Sequence, residues 1–214
     1  LGRTVQLMSY VLYTVGTLKV EEPTIIICPT SVLGNWQKEL ARFAPTLRVH
    51  THYSANRLKD EQFEQFIKHE RPHIILSTYG TVSQDTEFLQ QISWSAVVLD
   101  EAQNIKNMQT LQSRSIRKLK GAHHIALTGT PVENRLSELW AIFDFMHKGY
   151  LGSFGKFQEQ FILPIEKDES EKHKHVLQMK IRPFLLRRTK RDPDLMINLP
   201  DKQETQEFCS LTAE

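Results

Sequence analysis

Apolar residues in this chain fall into short β-branched runs separated by longer stretches with helical spacing. The runs are Thr24 to Cys28 (TIIIC), His73 to Ser77 (HIILS), Trp94 to Leu99 (WSAVVL) and His124 to Leu127 (HIAL). Continuous rather than alternating hydrophobicity over so few residues is the pattern of a strand buried on both faces, as in a parallel sheet. Between them, Gly34 to Phe43 places Trp36, Leu40 and Phe43 at helical spacing, and Asp60 to Lys68 does the same with Phe63, Phe66 and Ile67. A helical pattern also opens at Gly2-Arg3-Thr4, with Val5, Leu7 and Met8 behind it. Strand and helix in alternation predict an α/β fold, a mostly parallel sheet with helices on both faces. From about Met146 the sequence turns aromatic and charged. Gly149, Gly152 and Gly155 punctuate it and Glu166 to His175 is strongly polar, which predicts an appended C-terminal helical element.

In open sheets of this kind ligands bind beyond the carboxyl ends of the strands. The residues that follow the four runs are Pro29-Thr30-Ser31, Thr78-Tyr79-Gly80, Asp100-Glu101-Ala102-Gln103 and Thr128-Gly129-Thr130-Pro131, all polar or turn-forming. A single binding edge could gather all four. Asp100-Glu101 has the chemistry a nucleotide hydrolase needs, one carboxylate toward a hard cation and one to orient the attacking water. Taken alone, the same pair also reads as a strand-end helix cap. Gly2-Arg3-Thr4 reads either as the last residues of a phosphate-binding loop or as an ordinary helix start. Trp36, at helical spacing from Leu40, reads as core.

Composition narrows the class without naming a partner. With 214 residues, 40% hydrophobic and 24% charged, the chain can bury one ordinary core and carry an appendage. Its 27 Lys and Arg against 25 Asp and Glu leave a net charge of +2, too little to mark a nucleic-acid binder by bulk electrostatics. Any such contact must come from local patches, the densest being Arg187, Arg188, Lys190 and Arg191. Cys28 and Cys209 lack metal-ligand spacing, and Cys28 reads as a buried thiol. No apolar stretch approaches the roughly 18 residues that span a bilayer, and no leader pattern is visible, so no membrane association is expected.

Four segments in fixed order carry a resemblance: LGRT at Leu1 to Thr4, PTSVLGNWQKEL at Pro29 to Leu40, DEAQNIKN at Asp100 to Asn107, and LTGTPVENRLSELW at Leu127 to Trp140. Together they resemble the Swi/Snf-type helicase-like ATPases, and Gln103 in DEAQ suggests the prokaryotic branch. The resemblance implies a first RecA-like lobe over residues 1–146, beginning inside the phosphate loop. Residues 147–214 would form a family-specific helical element and connection toward a second lobe. FLLRRTKRDP at Phe184 to Pro193 is similar to that connection, with Pro193 standing where valine is usual.

The implied cofactors are ATP and Mg²⁺, with Gly2, Arg3 and Thr4 at the phosphates and Thr4 and Asp100 at the metal. Asp100, Glu101 and Gln103 would be catalytic, and Gln103 with Thr128, Gly129 and Thr130 would couple nucleotide state to DNA grip. Pro29, Thr30, Ser31, Thr78 and Tyr79 are implied to face the phosphate backbone, and Arg187 and Arg188 to meet DNA or the other lobe. The implied partners are double-stranded DNA regardless of sequence, the second RecA-like lobe of the same parent, and a DNA-bound protein such as RNA polymerase. The expected location is the cytoplasm with the nucleoid in a prokaryote, or the nucleus in a eukaryote.

Arg3 stands where the phosphate-loop motif has lysine, and three readings stay open. The first is a DNA-stimulated ATPase that moves on duplex DNA. The second is a degenerate lobe, disabled at Arg3, that grips DNA or a protein without turnover. The third is a strand-separating helicase of a neighbouring family. A lobe without the arginines of a second lobe is expected to be nearly inactive, since such a residue is worth about 10³ to 10⁵ in rate.

Overall fold

The computed structural model describes residues 2–128 and 135–184, together with the backbone of two short strands at 186–188 and 207–209. Helix α1 (Gly2–Gly16) leads to β1 (Thr24–Cys28), then a 3₁₀ turn (Thr30–Val32) that runs into α2 (Leu33–Phe43). There follow β2 (Val49–His52), α3 (Asp60–Glu70), β3 (Ile74–Thr78), α4 (Tyr79–Leu89) and β4 (Trp94–Leu99). A second 3₁₀ turn (Ala102–Ile105), α5 (Leu111–Ile116) and β5 (Gly121–Thr128) complete the alternation. Strands β1 to β5 lie in the order β2-β3-β1-β4-β5, with β2, β3, β1 and β4 paired in parallel.

Every residue of β1, β3 and β4 is buried. Neighbouring side chains on a strand point to opposite faces, so both faces of this part of the sheet are covered, as the unbroken apolar runs require. The fully buried Ile25, Ile26, Ile27, Ile74, Ile75, Leu76 and Leu99 make the centre of this core, each worth about 1.5–3 kcal/mol relative to exposure. Helix α3 carries Asp60 and Glu61 in its first turn and Lys68 and His69 in its last, which complements its dipole. Gly121 opens β5 at a close approach to β4: a Cβ there would lie 3.2 Å from Val97 Cγ2 and 3.3 Å from the Trp94 carbonyl.

The chain forms two compact units. The first comprises Leu1–Asp100 and Thr110–His123, the second Glu101–Gln109 and His124–Glu214. Within the second unit α6 (Leu136–Met146) packs on the Ala102–Ile105 turn. After α6 come α7 (Phe154–Phe157), a π-helical segment (Gln158–Lys167) and α8 (Glu171–Ile181), the appended helical element expected from the composition change. Gly149 and Gly152 turn the chain out of α6 with φ of 83° and 77°, a region that favours glycine. Glu166, otherwise exposed, accepts the Leu136 backbone N–H through Oε1 at 2.9 Å and so caps the start of α6. The short strands β6 (Leu186–Arg188) and β7 (Glu207–Cys209) pair antiparallel with each other, and β7 pairs with Leu127 and Thr128 of β5.

Two elements differ from the sequence expectation. The polar strand β2 (VHTH) was not expected; it is the edge of the sheet, where half-exposed residues suffice. Thr78-Tyr79-Gly80 is not an open turn, because α4 begins at Tyr79 with Thr78 as its N-cap, accepting the Thr81 N–H at 3.4 Å.

Candidate active site

Asp100 is the first residue after β4, and its N–H extends the ladder by donating to the Ile27 carbonyl at 2.8 Å. Three side chains of the first unit then converge on it. The Trp36 indole Nε1 of α2 donates to Oδ2 at 2.7 Å, the Tyr79 hydroxyl donates to the main-chain carbonyl at 2.6 Å, and Arg3 of α1 approaches Oδ1 at 3.6 Å. Asp100 is only 6% exposed. Its charge is felt at Cys28, whose thiol is pushed up to about 12 by burial first and by the Asp100 carboxylate second. Burial makes that thiol inert, as its sequence context suggested.

These contacts bear on Mg²⁺ and a nucleotide. Mg²⁺ takes one or two carboxylates and completes its shell with water and substrate phosphates. A single strand-end carboxylate, oriented through one oxygen and facing a cation through the other, has that chemistry, and Thr4 follows Arg3 on α1 with a half-buried side chain. Among the described residues no group of three or more His, Cys, Asp or Glu is placed to cage a metal. The residues fit a metal that arrives with its phosphates, provided Arg3 withdraws from Oδ1.

The second unit opens with Glu101, whose φ of 53° and ψ of 58° place a non-glycine residue in the left-handed region. Such a conformation costs on the order of 1–3 kcal/mol and is retained where the surroundings hold it. Here Gln103 Nε2 donates to Glu101 Oε2 at 2.7 Å, Asn104 Nδ2 donates to the Glu101 carbonyl at 2.8 Å, and the Thr128 hydroxyl at the end of β5 donates to Gln103 Oε1 at 2.8 Å. Glu101, Gln103 and Thr128 thus form one hydrogen-bonded line from the DEAQ turn to the strand that precedes Gly129. Gly129 and Thr130 lie outside the described residues, as do the side chains of Arg187 and Arg188.

The segments expected to face phosphates divide into two kinds. Thr30 and Ser31 are exposed and Pro29 half-buried, so this turn is open to a ligand. Thr78 and Tyr79 are buried: the Thr78 hydroxyl donates to Thr81 Oγ1 at 2.9 Å while capping α4, and the Tyr79 hydroxyl is committed to Asp100. Trp36 is core, 3% exposed, as its spacing indicated. Its second task, holding the Asp100 carboxylate, was missed, although a buried indole N–H always requires an acceptor and that requirement was a usable signal.

Known proteins share this sequence and fold. Residues 1–214 match the SNF2-related domain family. The putative ATP-dependent helicase/translocase YwqA of Bacillus subtilis is 55% identical over the whole chain, which spans 23% of that protein. The TATA-binding protein-associated factor mot1 of Schizosaccharomyces pombe is 32% identical over 89% of the chain, which covers 10% of mot1. The SWI2/SNF2 ATPase core of Sulfolobus solfataricus, solved in complex with double-stranded DNA, superposes with a TM-score of 0.77 at 40% identity, covering 91% of this chain and 40% of that one. The chain thus spans about a quarter or less of the length of these curated relatives. With its RecA-like sheet order and a family match along its full length, the chain belongs to the SNF2-related family, as the N-terminal lobe of the ATPase.

Proposed function

We infer that the protein carrying this chain is an ATP-driven translocase on double-stranded DNA, and that this lobe supplies the metal-holding and water-orienting side of its nucleotide site. The observation that carries the reading is Asp100, a buried strand-end carboxylate held by Trp36 and Tyr79 and facing the cationic start of α1. Asp100 and Thr4 would hold Mg²⁺, which when bound with ATP neutralises charge on the phosphates leaving and transferring. Glu101, positioned by Gln103, takes a proton from the attacking water. Gln103 and Thr128 carry any movement at the end of β5 to Glu101, and so couple hydrolysis to grip. Gly2 and Arg3 lie at the phosphates.

Duplex DNA as the substrate track is supported by the Sulfolobus relative, whose core was crystallised with it. The contacts proposed here, through Pro29, Thr30 and Ser31 with the neighbouring helix start, are to phosphates and carry no sequence preference. The task of such a motor is to displace or remodel protein bound to DNA, RNA polymerase included, and the bacterial relatives favour a nucleoid setting. Assayed apart from a partner lobe, this lobe is expected to bind duplex weakly and salt-sensitively, with no meaningful turnover.

Arg3 favours a second reading. Its planar guanidinium keeps the charge of the motif lysine but not its compact geometry, and its approach to Asp100 opposes metal binding. ATPase activity of the full-length protein with and without duplex DNA, alongside Glu101→Gln and Arg3→Lys, decides between them. Duplex-stimulated turnover lost in Glu101→Gln supports a motor; turnover that appears only in Arg3→Lys supports a DNA-binding lobe disabled at its phosphate site.

A further inference from the structure

Two helix starts of the first unit each send an aromatic donor to Asp100, and one of them follows the turn proposed to meet DNA. The first segment runs from the exposed Thr30 and Ser31 into α2, and Trp36 stands on the first turn and a half of that helix. Its indole reaches the Asp100 carboxylate, 64 residues away in sequence, at 2.7 Å. The second runs from Thr78 into α4, whose first residue is Tyr79 and whose second, Gly80, is exposed. The Tyr79 hydroxyl reaches the Asp100 carbonyl, 21 residues away, at 2.6 Å. Asp100 is thereby gripped at its carboxylate by one helix start and at its backbone by the other.

Neither hydrogen bond is needed to bury its ring. A phenylalanine at either position would keep most of the apolar contact, and β4 already fixes the Asp100 backbone through its N–H to Ile27. What the two donors add is direction. Oδ2 is turned toward α2, which leaves Oδ1 as the oxygen that meets Arg3 and, in the proposed mechanism, the metal. A small displacement of the start of α2 moves the Trp36 ring as a rigid lever, and its hydrogen bond passes that displacement to the Asp100 carboxylate, while the Tyr79 bond holds the Asp100 backbone. The Trp36 bond suits this task, since a buried charge-assisted hydrogen bond in a low-dielectric interior is short and strongly directional, whereas the Tyr79 bond joins two neutral groups.

We propose that Trp36 and Tyr79 are positioning residues: Trp36 links phosphate-backbone engagement at the start of α2 to the orientation of the Asp100 carboxylate, and Tyr79 holds the Asp100 backbone about which that carboxylate turns. The proposal rests on the reading of this protein as a duplex-dependent ATPase. It makes no claim that either ring touches DNA or nucleotide.

Linkage supplies a test that a purely structural role would not mimic. If nucleotide and duplex are coupled, each alters the affinity of the other by the same factor, and couplings of this type run to about 5- to 150-fold. The measurement is duplex affinity of the full-length protein, by anisotropy of a short labelled duplex at fixed salt, with and without Mg²⁺ and a non-hydrolysable ATP analogue. It is made for the natural sequence, Trp36→Phe and Tyr79→Phe, with thermal melts to confirm folding. The expected result is a nucleotide-dependent change in the natural protein that falls below about twofold in each variant. A loss of packing alone would weaken both affinities and leave their ratio intact, and an intact ratio in either variant overturns the proposal. So does failure of both variants to fold, because the hydrogen bonds would then be structural. Absence of any nucleotide effect in the natural protein would instead overturn the translocase reading on which the proposal stands.

Discussion

Replacing Asp85 with asparagine should cost the protein about 3–5 kcal/mol, the range for removing one charge from a buried, hydrogen-bonded pair. Asp85 on α4 accepts from His52 Nε2 at 2.7 Å and from Arg57 through Nε and, at 2.9 Å, Nη2. The Asp85 and Arg57 side chains are 6% and 9% exposed, and that of His52 is fully buried. Burial by itself would raise the Asp85 carboxyl, but the Arg57 and His52 hydrogen bonds and the Arg57 charge outweigh it and hold the group below its ordinary value. Asparagine keeps the shape and loses the charge, and it turns one acceptor into a donor that faces another N–H. Arg57 retains the Ser54 carbonyl at 3.1 Å and Gln84 at 3.2 Å, which softens its loss. His52 has no such recourse, since its Nδ1 has no partner among the described residues, and an orphaned buried donor costs about 1–3 kcal/mol. Urea unfolding followed by circular dichroism reads the difference directly. Raising salt from low to molar should change it little, because screening acts on exposed charges. A loss under about 1 kcal/mol, or one that salt abolishes, would show the pair behaving as a surface ion pair and refute the reasoning.

Stability should also fall on acidification. His50, His52, His73 and His147 are all held below the ordinary histidine value, burial being the chief cause in each. The unfolded chain takes up protons near pH 6.5 where the folded protein does not. Stability is therefore full above that pH and lost below it, by at most about 1.4 kcal/mol per pH unit for each histidine; urea midpoints that stay level between pH 7.5 and 5.5 would contradict this. Cys28, with its thiol pushed up to about 12 and its side chain buried, should resist iodoacetamide in the native protein near neutral pH and react on unfolding; prompt native labelling, mapped to Cys28 by peptide mass, would count against the burial.

The parts of the fold that were legible are those where burial on both faces imposes an unbroken apolar run. Strands β1 and β4 match TIIIC and WSAVVL residue for residue, and β3 is displaced by one. Strand β2 was hidden because an edge strand needs no such run, and VHTH offers none. Helix α4 was hidden because its buried face includes Thr81, Asp85 and Thr86, polar residues whose satisfaction depends on partners such as Arg57 that only the fold brings near. The same division holds at the site. Asp100 and Glu101 stand out in the sequence as candidates because they follow a strand end, and Trp36 was visible as core. Its indole bond to Asp100 was not, since pairing across 64 residues is fixed by the packing of α2 beside the sheet and has no local trace. The Glu101–Gln103–Thr128 line was anticipated only as a task of coupling; its hydrogen bonds are properties of the second unit's three-dimensional arrangement.

Displacement of a third strand from a triplex most directly tests the claim that the protein carrying this lobe moves along duplex DNA. The full-length protein should release the third strand from a triplex flanked by plain duplex when given ATP and Mg²⁺. It should leave the two duplex strands paired and lose the activity in Glu101→Gln. Efficient separation of a simple duplex, or no release despite duplex-stimulated ATP hydrolysis, would contradict the account.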